Sequence, residues 1–568
     1  MNAVSSSLRE EGVWQELITA IELGNVRVFE GDDWTFHLSP LTVLCGTNSA
    51  GKSTLLKVLL LLRQTMGIRE ALGTRAAKLR FVGSQVDLGN YRSFVSHNEI
   101  YRDLSIGLTL DGAMPEGAMS QLNAREGPQA SLNTLLDSGP DSEAYSLRCA
   151  FRFGYLREQT RPRMFAEDRD NVLSAESADS KEARSEEDIE EPSSSDEPQP
   201  ILKSSNYEII QRGKVLLSWS VAVSQDANGP FYRMKLPVSY LEKGSGLKGI
   251  VAEQLDLHGN AEFITVLRGT LPDRILGRIS ETPENLADDI PWRSWPLPVH
   301  IERALRDLRR GLANIQYLGP LRSAAKRYYT AQVDPDPVLD PAGDFLPYLL
   351  RDRGEMGILN LRIGETEARR EPLAEALDYW LHYLRTGSTK HERAIFSQHE
   401  LKLQTVQDVL VQLAVRSLGG SESHALADSG FGYSQVLPIL ARGLITTPGS
   451  TLIVEQPEVH LNPALQTRVA DFLVAMARAG KQILVETHSE HVVNAVRVLS
   501  AEDETGHIAS ECTILYLEAT GGKPNVHELS VKRDGTVPEW PRHFFGEAAT
   551  LTGRLLRAQK KFRGGMQV

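Results

Sequence analysis

The ten residues Cys45 to Thr54, CGTNSAGKST, constrain this chain more than any other stretch. They fit the pattern G-x-x-x-x-G-K-[ST], with Gly46, Gly51, Lys52 and Ser53 at the fixed positions. Glycine lets the backbone wrap tightly around a phosphate so that successive N–H groups point at its oxygens. The helix that opens near Lys52 presents the positive end of its dipole to the same place. Lys52 is placed to bridge the β- and γ-phosphates of a nucleotide, and the Ser53 hydroxyl to help hold Mg²⁺. The loop follows an apolar strand pattern, LTVLCG, and opens an apolar helix pattern, STLLKVLLLL, which is the context this chemistry requires. The fold class is therefore α/β, and the candidate nucleotide contacts are Gly46, Asn48, Ser49, Ala50, Gly51, Lys52, Ser53 and Thr54.

A chain of 568 residues has room for roughly two to four domains around such a loop. Hydrophobic residues at 41% and charged residues at 24% match ordinary soluble globular proteins and exclude fibrous or wholly disordered classes. The net charge of -12 is concentrated: Glu167 to Glu197 holds thirteen acidic and three basic residues, so the remainder is close to neutral. Charge thus neither supports nor excludes a nucleic-acid surface. Three widely spaced cysteines, Cys45, Cys149 and Cys512, argue against a disulfide framework or a zinc site and for a cytoplasmic protein. The opening residues show no signal-peptide pattern, and no run reaches the length of a membrane span, so no membrane association is expected.

Along the chain, Ile18 to Phe29 and Trp34 to Cys45 read as two strands joined by a turn at Gly31, Asp32 and Asp33. The alternating runs DLSIGLTL, YSLRCAFRFG, KVLLSWSVAV and PFYRMKL read as an antiparallel β lobe inserted into the nucleotide-binding core. About residues 165 to 200 this lobe is interrupted by an acidic Ser/Pro-rich stretch without hydrophobic periodicity, expected to be disordered. Helical patterns dominate from Pro298 to about Gly387, and sustained heptads are missing.

A second half of the site lies far downstream. TLIVEQPEVHLNP is an apolar strand ending in Glu455, followed by Gln456 and Glu458; it resembles a Walker B strand, in which the carboxylate holds the water shell of Mg²⁺. KQILVETHSEH is another apolar strand, ending in Glu486, Thr487 and His488, and a histidine there can contact the γ-phosphate. Upstream, DSGFGYSQVLPILARGL places Ser429, Gly430 and Gly432 before an apolar helix, an arrangement that makes an anion site. One chain already has a phosphate loop, so the simplest second phosphate is ATP held by a partner copy.

Taken in order, these motifs resemble the ABC-type ATPases, and more narrowly the branch containing the SMC, RecF and OLD-like proteins. The resemblance covers Ile18 to Leu62 and Ala425 to Val498. Asn48 is the family's asparagine, SGFGYSQ stands where the family has its signature, and EQPEVHLNP followed by ETHSEH matches OLD-like ATPases of prokaryotic defence operons. IQYLGPLR, ending in Arg322, and VHELSVKRDGTVPEWPRHFF resemble segments of ATPase subunits of Septu-like and PARIS-like systems. The resemblance implies an ATPase head built from both ends of the chain, with ATP and Mg²⁺ bound, the metal by Ser53 and Glu455. It also implies two copies sandwiching two ATP molecules, and an antiviral sensor role with a separate effector, a nuclease or toxin. The corresponding division is 15–100 for the first part of the head, 101–300 for the β lobe and 301–400 for a helical insertion. The second part of the head follows at 401–500 and a tail domain at 501–568.

Gln456 departs from the family pattern, because it stands where the catalytic glutamate is expected and cannot accept a proton from water. Turnover is either slow, or normal with Glu458 or Glu486 supplying the carboxylate. Arg27 is a candidate for the adenine side, Gln85 for joining Mg²⁺ to the lobe, and Arg322 for phosphate or a partner subunit. Too few residues follow Val498 for a nuclease domain of ordinary size, so any nucleolytic effector would be another chain. Arg303, Arg306 and Arg310 on one helix face, and Arg554, Arg557, Lys560, Lys561 and Arg563 near the end, are possible phosphate contacts. Solvated helix faces produce the same clusters. The rival readings are a RecF-like or SMC-like DNA-binding ATPase and a nucleotide-dependent scaffold with little turnover.

Overall fold

The computed structural model describes residues 17–32, 34–66, 77–83, 85–115, 142–156, 200–226, 229–242, 250–251, 254–255, 260–279, 293–330, 342–343, 346–389, 401–406, 410–416, 423–428, 431–541 and 553–559. The expected disordered stretch at 165–200 lies outside them except for Pro200.

Strands β1 (Ile18–Gly24) and β2 (Trp34–His37) pair antiparallel, and β3 (Leu41–Gly46) leads through the glycine loop into helix α1 (Lys52–Met66). The β lobe follows as β4 (Leu104–Pro115), β5 (Ser142–Gly154), β6 (Ile201–Gln211), β7 (Lys214–Asp226), β8 (Gly229–Pro237), β9 (Asn260–Arg268), β10 (Leu271–Ile279) and β11 (Arg293–Pro296). Their order is β11-β10-β9-β8-β7-β6-β5-β4-β1-β2, so the lobe is one antiparallel sheet that includes the first two strands of the chain. Alternation decides its faces: Tyr145, Leu147, Cys149, Phe151 and Phe153 of β5 point into the core while Arg148 and Arg152 stay exposed.

The second sheet is built from distant parts of the chain. Helix α2 (Val299–Ala313) precedes β12 (Gln316–Leu318), and α3 (Leu373–Thr386) and α4 (Phe431–Ile445) precede β13 (Thr451–Glu455). Then come α5 (Pro463–Arg478), β14 (Gln482–Glu486), α6 (Glu490–Glu502), β15 (Cys512–Thr520) and β16 (Lys523–Ser530). The order is β12-β13-β14-β3-β15-β16, parallel up to β15 and antiparallel at β16. The central strands β3, β13 and β14 are short apolar runs because both faces are covered. Leu44, Ile453, Leu484 and Leu515 join the core under α1 and the large sheet. Val43, Val454, Val485 and Ile514 join a second core formed with α3, α4, α5 and α6.

Helix α1 lies in the first of these cores. Leu55, Leu56, Val58, Leu59, Leu60, Leu61 and Leu62 are all fully buried, which is why its sequence lacks a polar stripe. Each such side chain contributes about 1.5–3 kcal/mol relative to exposure. Gln482, at the start of β14, joins the sheets: its Nε2 donates to Ile18 O at 2.7 Å, and its Oε1 accepts from Ile18 N at 3.2 Å and Thr451 Oγ1 at 2.9 Å.

Three expectations about boundaries are corrected. Trp34 to Cys45 is two strands, β2 and β3, in different sheets, since the chain turns through Leu38, Ser39 and Pro40. Residues 301–400 are not purely a helical insertion, because β12 joins the nucleotide-binding sheet beside β13. The tail after residue 500 is no separate domain: β15 pairs along the whole of β3, from Cys512 opposite Leu41 to Leu517 opposite Gly46.

Lys481 is buried just ahead of β14 and donates to Gly443 O at 2.8 Å and Leu444 O at 3.2 Å, the carbonyls ending α4. A cation at a helix C-terminus satisfies orphan carbonyls and opposes the dipole. Burial pushes its pKa down to about 7 from 10.5. The folded value lies below the unfolded one, so the unfolded chain binds more protons between about pH 7 and 10.5, and stability rises with pH across that window. Lys481→Met should remove this rise and cost about 1–3 kcal/mol at neutral pH through the unpaired carbonyls, as measured by urea unfolding at several pH values.

Candidate functional site

The loop after β3 has the backbone its glycines were expected to provide. Gly46 has φ 129°, Ser49 φ 61° and Gly51 φ 101°. A Cβ on Gly46 would lie 1.9 Å from Leu517 O, and one on Gly51 would lie 2.5 Å from Phe29 Cζ. Neither position has room for another residue, because β15 runs along one side of the loop and the Val26 to Phe29 turn lies against the other. Thr47 reinforces the first contact, donating from N to Leu517 O at 2.9 Å and accepting from Ala519 N at 3.1 Å. Thr47, Asn48 and Ser49 are exposed, whereas Ala50 and Thr54 are buried beneath them. Lys52 is folded over the loop, with Nζ donating to Thr47 O at 2.7 Å and Gly46 O at 3.2 Å. Burial lowers its pKa, and nearby Glu486 opposes that shift.

The ends of β13 and β14 lie beside this loop. Parallel register sets Glu455 opposite Glu486, and Glu486 opposite Leu44 of β3. Ser53 Oγ donates to Glu486 Oε1 at 2.8 Å. Glu486 is 3% exposed and its Oε2 has no hydrogen-bond partner. On the far side, Tyr317 of β12 donates its hydroxyl to Glu455 Oε1 at 3.0 Å. Burial and then Glu486 push the Glu455 carboxyl up to about 7, against the pull of Lys57, Tyr317 and Arg322.

Gln456 takes φ 45°, a left-handed conformation strained for a residue with a side chain. Its backbone is held on both sides: N–H donates to Glu486 O at 2.7 Å, and its carbonyl accepts from Arg322 Nη1 at 3.3 Å. Arg322 also donates from Nη2 to Glu455 O at 2.7 Å, and burial pushes its pKa down to about 10. Glu458 is occupied otherwise, its carboxylate accepting from Thr487 Oγ1 at 2.8 Å and His488 N at 2.7 Å. The ends of β13 and β14 are thereby tied together, and the His488 side chain is left exposed.

The structure thus gathers Lys52, Ser53, Glu455, Gln456, Glu458, Glu486 and His488 at one edge of the parallel sheet. It does not bring Gln85 beside Ser53. The Gln85 carboxamide accepts from Arg63, ten residues beyond Ser53 in α1 and therefore about 15 Å further along its axis. Ser429 and Gly430 lie outside the described residues; Gly432 lies against Leu461 and His460 in the turn after Glu458. Arg27 stacks on Phe94 at 5.2 Å, in the turn that covers Gly51. Arg322 reaches two backbone carbonyls of its own chain, where sequence reasoning had given it phosphate or a partner. Tyr317 was missed altogether; its only sequence signal was its place in the strand-like IQYL five residues before Arg322.

The basic clusters fare differently. Arg303 is buried beside Asp307, at 3.7 Å, and Arg306 pairs with Glu302 at 3.0 Å. Arg554 and Arg557 are exposed, and Lys560, Lys561 and Arg563 fall outside the described residues. Among the described residues no helix is long and apolar enough to cross a membrane.

The phosphate-loop pattern and two buried strand-end carboxylates thus meet at one end of the parallel sheet. Residues 284–494 match the family described as "AAA domain, putative AbiEii toxin, Type IV TA system", so an AAA domain is present, and the match begins beyond the phosphate loop. No curated protein matches the chain. Similar solved structures include an SMC head bound to the C-terminal winged-helix domain of ScpA (10% identity, 90% of this chain and 98% of that one, TM-score 0.35). Another is the SMC head domain from Thermotoga maritima (8%, 90% and 99%, 0.31). A third is an SMC head with an extended coiled coil bound to the C-terminal domain of ScpA from Pyrococcus furiosus (10%, 90% and 96%, 0.34). Fold, loop and AAA domain define the class: a nucleotide-binding protein of the ATPase type.

Arg322→Met should leave the Glu455 and Gln456 carbonyls without their donors and cost about 2 kcal/mol of stability. Tyr317→Phe, which removes only one hydroxyl, should cost less, and thermal unfolding of both variants checks the order.

Proposed function

We propose that this chain is an ATP-driven switch: two copies close around two ATP molecules, and hydrolysis or loss of nucleotide opens them. The observation that carries the reading is the convergence, at the ends of β3, β14 and β13, of Lys52 and Ser53 with Glu486, Glu455, Gln456 and His488. In this reading Lys52 leaves the Gly46 and Thr47 carbonyls to meet the β- and γ-phosphates, and the loop N–H groups from Asn48 to Lys52 hold the β-phosphate. His488 faces the γ-phosphate. Ser429, Gly430 and Gly432 of the partner copy cap the other side.

Mg²⁺ fits the residues present, because the buried Glu486 Oε2 lacks a partner beside the Ser53 hydroxyl. Ser53 and carboxylate from the ends of β13 and β14 would hold it, and it would neutralise charge developing on the phosphates. Gln456, in the place of a carboxylate base, orients water through its carboxamide without taking its proton, so turnover is slow. Glu458 is committed to Thr487 and His488, which leaves it poorly placed to substitute.

At a wider level we assign the switch to prokaryotic anti-phage defence, controlling a separate nuclease or toxin. That assignment rests on the resemblance of EQPEVHLNP and ETHSEH to defence ATPases. The engagement of Arg303 and Arg306 in ion pairs weakens the rival reading of a direct DNA clamp on that helix.

ATPase rate and oligomer size, measured with and without ATP, test the switch on wild type, Lys52→Ala and Gln456→Glu. Wild type should enlarge to a dimer with ATP and turn over slowly. Lys52→Ala should lose ATP-dependent enlargement, and Gln456→Glu should raise turnover about tenfold or more. If Lys52→Ala hydrolysed ATP like wild type, the reading would fail.

A further inference from the structure

We propose that Glu486, on the histidine strand, is the principal metal-facing carboxylate of this site, and that Glu455, on the strand resembling Walker B, stands behind it. The assignment rests on the ATP-site reading and departs from the sequence expectation, which gave the metal to Ser53 and Glu455.

The order of groups across the sheet edge carries it. β14 lies between β3 and β13, so Glu486 stands between the phosphate loop and Glu455. Ser53, the hydroxyl that follows the loop lysine, donates to Glu486 Oε1 at 2.8 Å. Glu455 is turned to the opposite neighbour, with Oε1 accepting from Tyr317 and its carbonyl accepting from Arg322. Reading outward from the loop, the sequence of polar groups is Ser53, Glu486, Glu455, Tyr317.

A second observation is independent of that order. Glu486 is buried, and while its Oε1 accepts from Ser53, its Oε2 is a buried oxygen with no donor. A buried carboxylate oxygen without a partner is costly unless a cation or donor meets it. Lys52 is the nearby cation, but its Nζ already donates to Thr47 O and Gly46 O, and triphosphate would draw it toward the phosphates. Ser53 and Glu486 would hold a divalent cation carried in with the triphosphate, which would supply the missing charge; their oxygens are ligands of the kind Mg²⁺ prefers.

Mn²⁺ is the probe, its binding to the full chain followed by electron paramagnetic resonance in the presence of ATPγS. Nucleotide binding is followed separately in EDTA, and folding by circular dichroism. Glu486→Gln should weaken Mn²⁺ binding about tenfold or more while leaving metal-free nucleotide binding within about threefold, and Glu455→Gln should change Mn²⁺ binding less than about threefold. Glu486→Asp, which keeps the charge but draws it back by one methylene, should give an intermediate loss, and it replaces the glutamine variant should that one not fold. Wild-type Mn²⁺ affinity in the Glu486 variants, or a larger loss in Glu455→Gln, overturns the assignment while the ATP site stands. A wild-type chain that binds no ATPγS overturns both.

Discussion

Helix α1 is buried over most of its surface, with only Ser53, Lys57 and Arg63 half-exposed, and the rest of the molecule is arranged to keep water from it. A helix on the surface of one sheet can leave a polar stripe outside; one with Leu55, Leu56 and Leu59 to Leu62 fully buried cannot. It needs cover on opposite sides, and the chain supplies this with two sheets that share a core. The phosphate loop sits at the N-terminus of this helix, so burial of α1 also fixes where the loop's amides point. Gln482 ties the same two sheets at the opposite end of β14 from Glu486. The strand that anchors the joint therefore also carries the carboxylate at the site.

How legible this was in the sequence depended on how each segment meets its surroundings. β3, β13 and β14 were readable because strands covered on both faces become short apolar runs, and β13 and β14 each end in a glutamate that no core would tolerate without partners. The lobe strands were readable by period, as β4, β5, β7 and β8 coincide with the alternating runs. β12 was not, since three residues carry no period; only its pairing with β13 makes it a strand. β15 carries the apolar run ILYL and lies beside β3, but nothing local in CTILYLEAT states which strand it will join.

Within the site, residue types were legible and the assignment of roles was not. A carboxylate at a strand end announces itself, but which of two adjacent carboxylates faces the loop depends on strand order. That order is a property of the whole sheet. Arg322 illustrates the same limit. A lone arginine after a strand suggests a phosphate or a partner, whereas its burial against the Glu455 and Gln456 carbonyls makes it a brace for a strained turn. Gln85 failed for the converse reason: a turn glutamine looks free in sequence, and the fold gives it to Arg63.

The charges at the site describe a loop that is preformed but self-satisfied. Lys52 donates to the loop's own carbonyls and Ser53 to Glu486, while Glu458 accepts from Thr487 and His488. Triphosphate has to take Lys52 from Gly46 and Thr47, exchanging bonds to neutral carbonyls for stronger charge-assisted bonds to phosphate oxygens. The glycine backbone has no such adjustment to make, since Gly46 and Gly51 are fixed by Leu517 and Phe29. Reorganisation on binding is therefore confined to side chains at the loop, and any larger movement must come from what the triphosphate meets across the open side of the site. That is the physical case for a second copy: a rigid half-site gains a switch only when its ligand is shared.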